Sequence, residues 1–180
     1  MPPPALLEPD TLRGDAAALL ASDKLTAPTR NALADRLAWQ RGELRVLSVE
    51  QMAMLDSVAR QLVPLGALDG MVDLAGRFEA DLAEGTGDGW RYAAMPGDAE
   101  AIVAGLDRVA ADGFADMGGG QRDAYLEQVR TGIDGWPVGS ALWFEEVLAR
   151  LVQLAYGHPL VQLSIGYDGM ADANGFAVDA

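Results

Sequence analysis

The sequence contains no cysteine, a single histidine and a single lysine. Without cysteine, the chain has no disulfide bond, thiol catalysis, Cys-ligated zinc, iron–sulfur cluster or covalently attached haem. A Ser-His-Asp triad would have to use His158, which precedes Pro159 just beyond a predicted helix, where a structural loop histidine is the better interpretation. We therefore predict no catalytic residue, no metal site and no cofactor in this chain.

Basic residues are also scarce. The chain has 13 Lys and Arg against 27 Asp and Glu, for a net charge of −14. Binding to phosphate backbones depends largely on Lys and Arg, so the charge argues against a nucleic-acid partner. We interpret the acidity as solvated helix faces, with a basic partner protein as the alternative.

Long apolar runs are missing as well. No stretch approaches the roughly 20 apolar residues of a membrane helix, so we predict a soluble protein without direct membrane insertion. The first ten residues have no basic region, twin arginine or continuous apolar segment, so they do not resemble an export signal. As written, the chain is predicted to be cytoplasmic; a periplasmic location follows if it is a mature form or is exported with a partner.

Apolar residues recur at intervals of three and four, with Gly and Pro between the groups. This pattern predicts one all-α domain over residues 1–180, with a helical extension (1–46) and a core with tail (47–176). We expect an irregular bundle of about six helices and two ordered aromatic loops. His158-Pro159 should stop the last helix, and residues 165–176 should form an extended Gly-rich tail. The main segments are 15–21, one from 26, 48–63, 68–82, one from 98, one around 125–133, and 140–156.

Three short motifs carry no function in our interpretation. The tail from Asp168 to Gly175 partly matches a calcium loop, but position one would be Met170 and position twelve would lie beyond Ala180, so a turn is favoured. The glycines at 118–120 match no phosphate-binding motif. Glu145 and Glu146 are adjacent on a helix and therefore point about 100° apart.

Large apolar side chains lie in predicted loops and in the tail, where a core does not require them. Tryptophan and tyrosine are enriched in protein interfaces, so we predict that these residues bind a partner. The alternative is that the loops fold back and bury them within the chain. The predicted partner-binding residues are Trp90, Tyr92, Met95, Trp136, Tyr167, Met170 and Phe176.

An ordered set of motifs resembles a known family. Taken together, the set is similar to gluconate 2-dehydrogenase subunit 3, the small subunit of membrane-linked flavin sugar dehydrogenases, over about residues 47–176. Each motif alone is weak, and their order carries the resemblance. The motifs are Leu47-Ser48-x-x-Gln51, Leu55-Asp-x-Val-Ala59, Leu62-Val63-Pro64, the loop from Trp90 to Gly97, and Gly166-Tyr-Asp-Gly-x-Ala-Asp172.

The resemblance implies a helical subunit without a cofactor. It would bind a large FAD-containing subunit of the glucose-methanol-choline type and help it to fold, persist or be exported. Dehydrogenation of sugars or sugar acids, and any electron transfer to a cytochrome subunit, would lie in other chains. Members of the family commonly carry a twin-arginine signal, which this sequence lacks, and that puts an export role in doubt.

Two other functions remain open from the residues alone. One is a stand-alone helical interaction module unrelated to redox enzymes. The other is an enzyme or small-molecule binder with a carboxylate site between helices, because helical bundles can contain such pockets.

Overall fold

The structure, a computed structural model, describes residues 8–85 and 96–167. The described residues form helices and no strand, so the predicted all-α class is confirmed. They contain eight α-helices, more than the expected six or so, together with 3₁₀ turns at Gly66–Leu68 and Phe114–Asp116. The helices are α1 (Pro9–Ala21), α2 (Ala27–Ala38), α3 (Val49–Leu62), α4 (Leu74–Glu84), α5 (Asp98–Ala111), α6 (Gly119–Thr131), α7 (Ser140–Gly157) and α8 (Pro159–Ser164).

The chain divides into two compact units. Among the described residues, unit 1 contains 8–40, 65–72 and 155–167, and unit 2 contains 41–64, 73–85 and 96–154. In unit 1, α8 packs against α1 and α2. In unit 2, α3 packs against α4, α5 and α6. The segments of unit 1 come from three separate parts of the sequence, which apolar spacing along the chain does not reveal.

Helix α3 begins with a capping box at Ser48 and Gln51, at the start of the predicted segment 48–63. The Ser48 hydroxyl accepts a hydrogen bond from the Gln51 N–H at 3.2 Å, and the Gln51 side chain accepts one from the Ser48 N–H at 2.9 Å. The two bonds satisfy backbone donors that the first helical turn leaves unpaired. Met52, Leu55 and Ala59 follow at helical spacing and are buried, whereas Leu62 and Val63 at the end of the helix are only partly buried.

Helix α4 begins later than predicted. Residues 66–68 form a 3₁₀ turn, and the α-helix starts only at Leu74, after the side chain of Asp73 accepts a hydrogen bond from the Gly76 N–H. Aspartate is a strong N-cap, so Asp73 fixes the start. Gly85 ends the helix in the left-handed conformation, at a φ of 63°.

The chain forms one further helix before the predicted tail, which the sequence pattern did not predict. Residues Pro159–Ser164 form α8, with His158 as the N-cap. Pro159 was interpreted as the end of α7, but proline is equally suited to the first turn of a new helix, because its missing N–H has no intrahelical partner there. The part of the tail beyond Tyr167 lies outside the described residues.

Two other helix starts were misjudged. Helix α1 begins at Pro9 rather than near Asp15. Helix α6 begins at Gly119, inside a glycine run that precedes the predicted segment around 125–133. At α6 the Gln121 side chain accepts a hydrogen bond from the Gly118 N–H at 2.9 Å. This bond satisfies one of the free backbone donors at the helix start, so the glycines are tolerated.

Within the described ranges, no helix is both long enough and apolar enough to cross a membrane.

Candidate functional site

His158 lies at the start of α8 and is partly buried in unit 1. Its Nδ1 atom accepts a hydrogen bond from the Leu160 N–H at 3.3 Å. Burial lowers the pKa of His158 to about 4, and the nearby Arg36 charge acts in the same direction, against a hydrogen bond with the Arg36 backbone. The ring is therefore neutral at neutral pH. Its Nδ1 is engaged by the backbone, which fits a structural role.

Tyr167, one of the predicted partner-binding residues, is 44% exposed at the end of the described chain. Two further large apolar side chains, Tyr156 and Ile165, are 54% and 58% exposed. Gln162 links the segments that carry the two tyrosines: its side-chain amide donates to the Tyr156 carbonyl, and its carbonyl accepts from the Tyr167 N–H, both at 2.9 Å. We call Tyr156, Ile165 and Tyr167 the apolar patch of unit 1.

Sequence reasoning missed two members of this patch. Tyr156 ends the predicted helix 140–156 and has no predicted role, and Ile165 lies in the tail that is expected to be extended. Pro159 was the available signal, because a helix starting there ends near Ile165 and carries Gln162, whose side chain bonds the Tyr156 carbonyl.

Trp136, another predicted partner-binding residue, is only 8% exposed and packs inside unit 2. Its ring centroid lies 5.8 Å from that of Trp143, and the Arg108 guanidinium lies 5.6 Å from the same Trp136 centroid. Its indole Nε1 is buried and has no hydrogen-bond partner within the described part of the chain. The geometry at this residue is the one expected if the loop folds back on the chain.

The surroundings of Trp136 explain why it is drawn inward. Trp143 packs against Gly105 so closely that a Cβ at position 105 would overlap its indole ring. Arg108 is held by Asp112 at 2.9 Å, and Asp112 also accepts a hydrogen bond from the Tyr125 hydroxyl at 2.9 Å. Burial and the hydrogen bond to Asp112 raise the pKa of Tyr125. Arg108, Asp112 and Tyr125 are thus engaged with one another at a polar edge of the core, which fits a structural role.

A second charged cluster joins three segments of unit 2. The Arg41 guanidinium donates to Asp73 at 2.7 Å and to Asp56 at 3.1 Å. Burial acts to raise the pKa of Asp73, but hydrogen bonds from Arg41 and from the Gly76 N–H outweigh it, and the pKa is lowered. Both carboxylates are engaged by one guanidinium, so the cluster is a structural tie between the residue 41 segment, α3 and the start of α4.

Glu79 strengthens the same tie. Glu79 is 3% exposed, and its carboxylate accepts hydrogen bonds from the backbone N–H groups of Arg45 and Val46, at 2.6 and 2.8 Å. A buried carboxylate is costly unless it is hydrogen-bonded, and here the non-helical segment before α3 supplies the donors. Glu79 thus has a structural role, because its carboxylate is occupied by backbone donors of the chain itself.

Five predicted partner-binding residues, namely Trp90, Tyr92, Met95, Met170 and Phe176, lie outside the described residues. The same holds for Asp172 and Asn174 of the rejected calcium-loop match. Across residues 8–85 and 96–167, no group of three His, Cys, Asp or Glu side chains is placed to hold a metal ion. The structure therefore brings together one exposed apolar patch in unit 1 and two paired charged clusters in unit 2.

Comparison with protein-family models, curated proteins and solved structures gives no match.

Proposed function

We propose that this chain is a non-catalytic small subunit that binds and stabilises a large FAD-dependent dehydrogenase subunit of the glucose-methanol-choline type. The proposal rests on the motif order described above and on one structural observation, the apolar patch of unit 1. FAD, the sugar or sugar-acid substrate and the redox chemistry would belong to the partner.

The apolar patch supports a docking role because exposed clusters of large apolar side chains are uncommon on monomeric proteins and often mark binding sites. Tyrosine buries much area for little conformational entropy, so two tyrosines beside an isoleucine suit an interface centre. Tyr167 also belongs to the Gly166-Tyr-Asp-Gly motif on which the resemblance depends. One residue of the motifs that carry the resemblance is therefore also part of the exposed apolar patch.

The arginines of unit 2 support an accessory role over a catalytic one. Arg41, Arg108 and Arg150 each contact a carboxylate within the unit, at 3.1, 2.9 and 3.8 Å. Guanidinium groups already paired in this way serve the fold. The carboxylates of these three pairs are likewise engaged, so none of the three supports the alternative of a carboxylate-based enzyme.

Co-expression tests the proposal directly. The full chain is produced with the glucose-methanol-choline flavoprotein encoded nearest to it in its source genome. We expect the two proteins to co-elute on size exclusion, and the flavoprotein to be obtained in higher soluble, FAD-loaded yield than when expressed alone. Separate elution with unchanged flavin content would overturn the proposal and favour a stand-alone interaction module.

Matched variants test the role of the patch. The double substitution Tyr156→Ser with Ile165→Ser is expected to weaken association at least about tenfold, because each residue would lose apolar contact area. Val49→Ser is the control: Val49 is 72% exposed but belongs to unit 2, so this change should leave association unaltered. Equal affinity for both variants would show that the partner docks elsewhere.

A further inference from the structure

Unit 1 contains an open pocket of about 310 Å³ that the proposed partner does not account for. One wall is a stripe of α1 formed by Arg13, Ala16, Ala17 and Leu20, which are spaced so that they share a helix face. The two alanines lie between longer side chains, and their small size leaves the space. The volume is at the lower end for ligand sites, which suits a small molecule.

The other walls of the pocket are also apolar. Leu37 comes from α2, Met71 follows the 3₁₀ turn, and Leu160 belongs to α8. His158 completes the wall as a neutral ring, because burial lowers its pKa and its Nδ1 is bonded to the Leu160 N–H. Aliphatic and thioether groups dominate the surface, so the matching ligand is an alkyl chain.

Arg13 gives the pocket its single charge among the described lining residues. Its guanidinium contacts Asp10 at 3.6 Å, with the two side chains 63% and 97% exposed. An ion pair this exposed contributes little, so the guanidinium can exchange it for another anion. Guanidinium groups bind carboxylates with favourable geometry, and the apolar pocket is thus joined to a carboxylate-binding group at one end of its α1 stripe.

We propose that this pocket binds an aliphatic carboxylate, with its alkyl chain on Ala17, Leu37, Met71 and Leu160 and its carboxylate at Arg13. Apolar lining and charge complementarity select this class over neutral or cationic amphiphiles. The inference concerns the isolated chain and does not depend on the proposed flavoprotein partner.

Calorimetric titration of the full chain with hexanoate, octanoate, decanoate and dodecanoate, each below its micelle concentration, tests the proposal. Each added CH₂ is expected to tighten binding about fourfold, equivalent to about 0.8 kcal/mol, until the pocket is full. Affinity then levels off, since further carbons remain in water. Decanol and decyltrimethylammonium should bind more weakly than decanoate, because neither pairs with Arg13.

Three substitutions locate the site. Ala17→Phe places a ring at the pocket wall and should weaken decanoate binding about tenfold or more. Ala18→Phe, at an equally exposed neighbouring position of α1 that does not line the pocket, should not. Arg13→Gln should cost about fivefold, with Arg60→Gln in unit 2 as the control. Met71→Ala enlarges the pocket and should move the point of levelling to a longer chain. Circular dichroism confirms that each variant remains folded.

Several results would overturn the proposal. These are no heat of binding for any of the carboxylates, decanol binding as tightly as decanoate, or an affinity that Ala17→Phe leaves unchanged. If Ala17→Phe disrupts flavoprotein association while decanoate does not bind, the pocket is part of a protein interface and is not a carboxylate site. Loss of flavoprotein co-elution alone, with decanoate still bound, would reject the proposed function and leave this inference standing.

Discussion

A single imidazole has two roles in unit 1. His158 caps α8 through Nδ1 and contributes a wall of the pocket, and both roles require the neutral ring. Protonation would place a charge in a partly buried position and remove the acceptor that caps the helix.

This arrangement predicts a pH-dependent stability. Because the pKa of His158 falls from 6.5 to about 4 on folding, the unfolded chain binds more protons between these values, and stability is lost as pH falls from 6.5 to 4. We expect a loss of about 2 kcal/mol, less than the full shift implies, because the ring is partly solvated. Urea denaturation across this pH range measures it.

The control for this prediction is His158→Asn, which retains a side chain able to cap a helix but does not titrate. The difference between the two pH profiles isolates the histidine from the many carboxylates that titrate near pH 4. Parallel profiles would contradict the prediction.

The buried position of Trp136 leads to a second prediction at the scale of single residues. Since it is 8% exposed and packs on Trp143, Trp136→Ala is expected to reduce the free energy of unfolding by about 3 kcal/mol or more. Trp136→Phe keeps a ring and removes an indole N–H without a hydrogen-bond partner among the described residues, so it should cost about 1 kcal/mol.

Urea denaturation of both variants provides the measurement. If Trp136→Ala unfolds at the same urea concentration as the parent protein, the indole is not part of the core in solution. A loss of partner binding in that stable variant would then support the interface assignment. In a destabilised variant, the same loss would instead reflect the fold.

At the scale of helices, close packing of α5 and α7 depends on one glycine. A Cβ at Gly105 would overlap the Trp143 indole, whose Nε1 donates to the Ile102 carbonyl at 3.4 Å. We predict that Gly105→Ala lowers the free energy of unfolding by about 1–3 kcal/mol, because overpacking outweighs the better helix propensity of alanine.

Gly14→Ala is a matched control, because Gly14 lies within α1 and a Cβ added there would have no neighbouring atom within 4 Å. At this position alanine should stabilise by about 0.5–1 kcal/mol. Thermal and urea unfolding of the two variants should therefore shift in opposite directions. If Gly105→Ala is stabilising as well, Trp143 can move aside at little cost.

Helix existence was largely predictable from the sequence, and helix boundaries were less so. The Ser48 and Gln51 box gave the start of α3 because both partners are local, and α7 was found because its apolar face is long. Helix α8 was missed because proline serves both as a helix stop and as a first-turn residue. The start of α4 depended on Asp73, whose side chain also binds Arg41.

The candidate surface was predictable only in part. Tyr167 followed from its loop-like sequence, whereas Tyr156 lies on an otherwise apolar helix, and its exposure depends on which neighbours cover that helix. The ties from Arg41 to Asp56 and Asp73 span 15 and 32 positions in sequence. Such pairings follow from tertiary packing, and one sequence without structure gives no signal for them.

At the scale of the whole molecule, the net charge of −14 is the dominant electrostatic feature. A large net charge destabilises the compact state through self-repulsion, and dissolved salt screens it. We predict that raising NaCl from low to moderate concentration stabilises the protein by about 1 kcal/mol, which corresponds to about 2–4 °C in Tm for a chain of this size.

Differential scanning calorimetry across a salt series provides the measurement. The same screening weakens the ion pairs that Arg41 and Arg108 form within the chain. These pairs are partly exposed, and exposed ion pairs contribute only about 0–1 kcal/mol each. A Tm that falls steadily with NaCl would show that these pairs outweigh the general repulsion. Repeating the series with the Arg41→Gln variant would identify how much of such a fall this residue causes.

The carboxylate of Glu79 has a consequence for local dynamics. The amides of Arg45 and Val46 lie outside any helix, yet each donates to this one buried side chain. Their protons should therefore exchange with deuterium far more slowly than those of other non-helical residues, and only opening of the contact with α4 releases them. In a hydrogen-exchange experiment, the two amides should become labelled at the same rate. That rate reports how often the segment separates from α4.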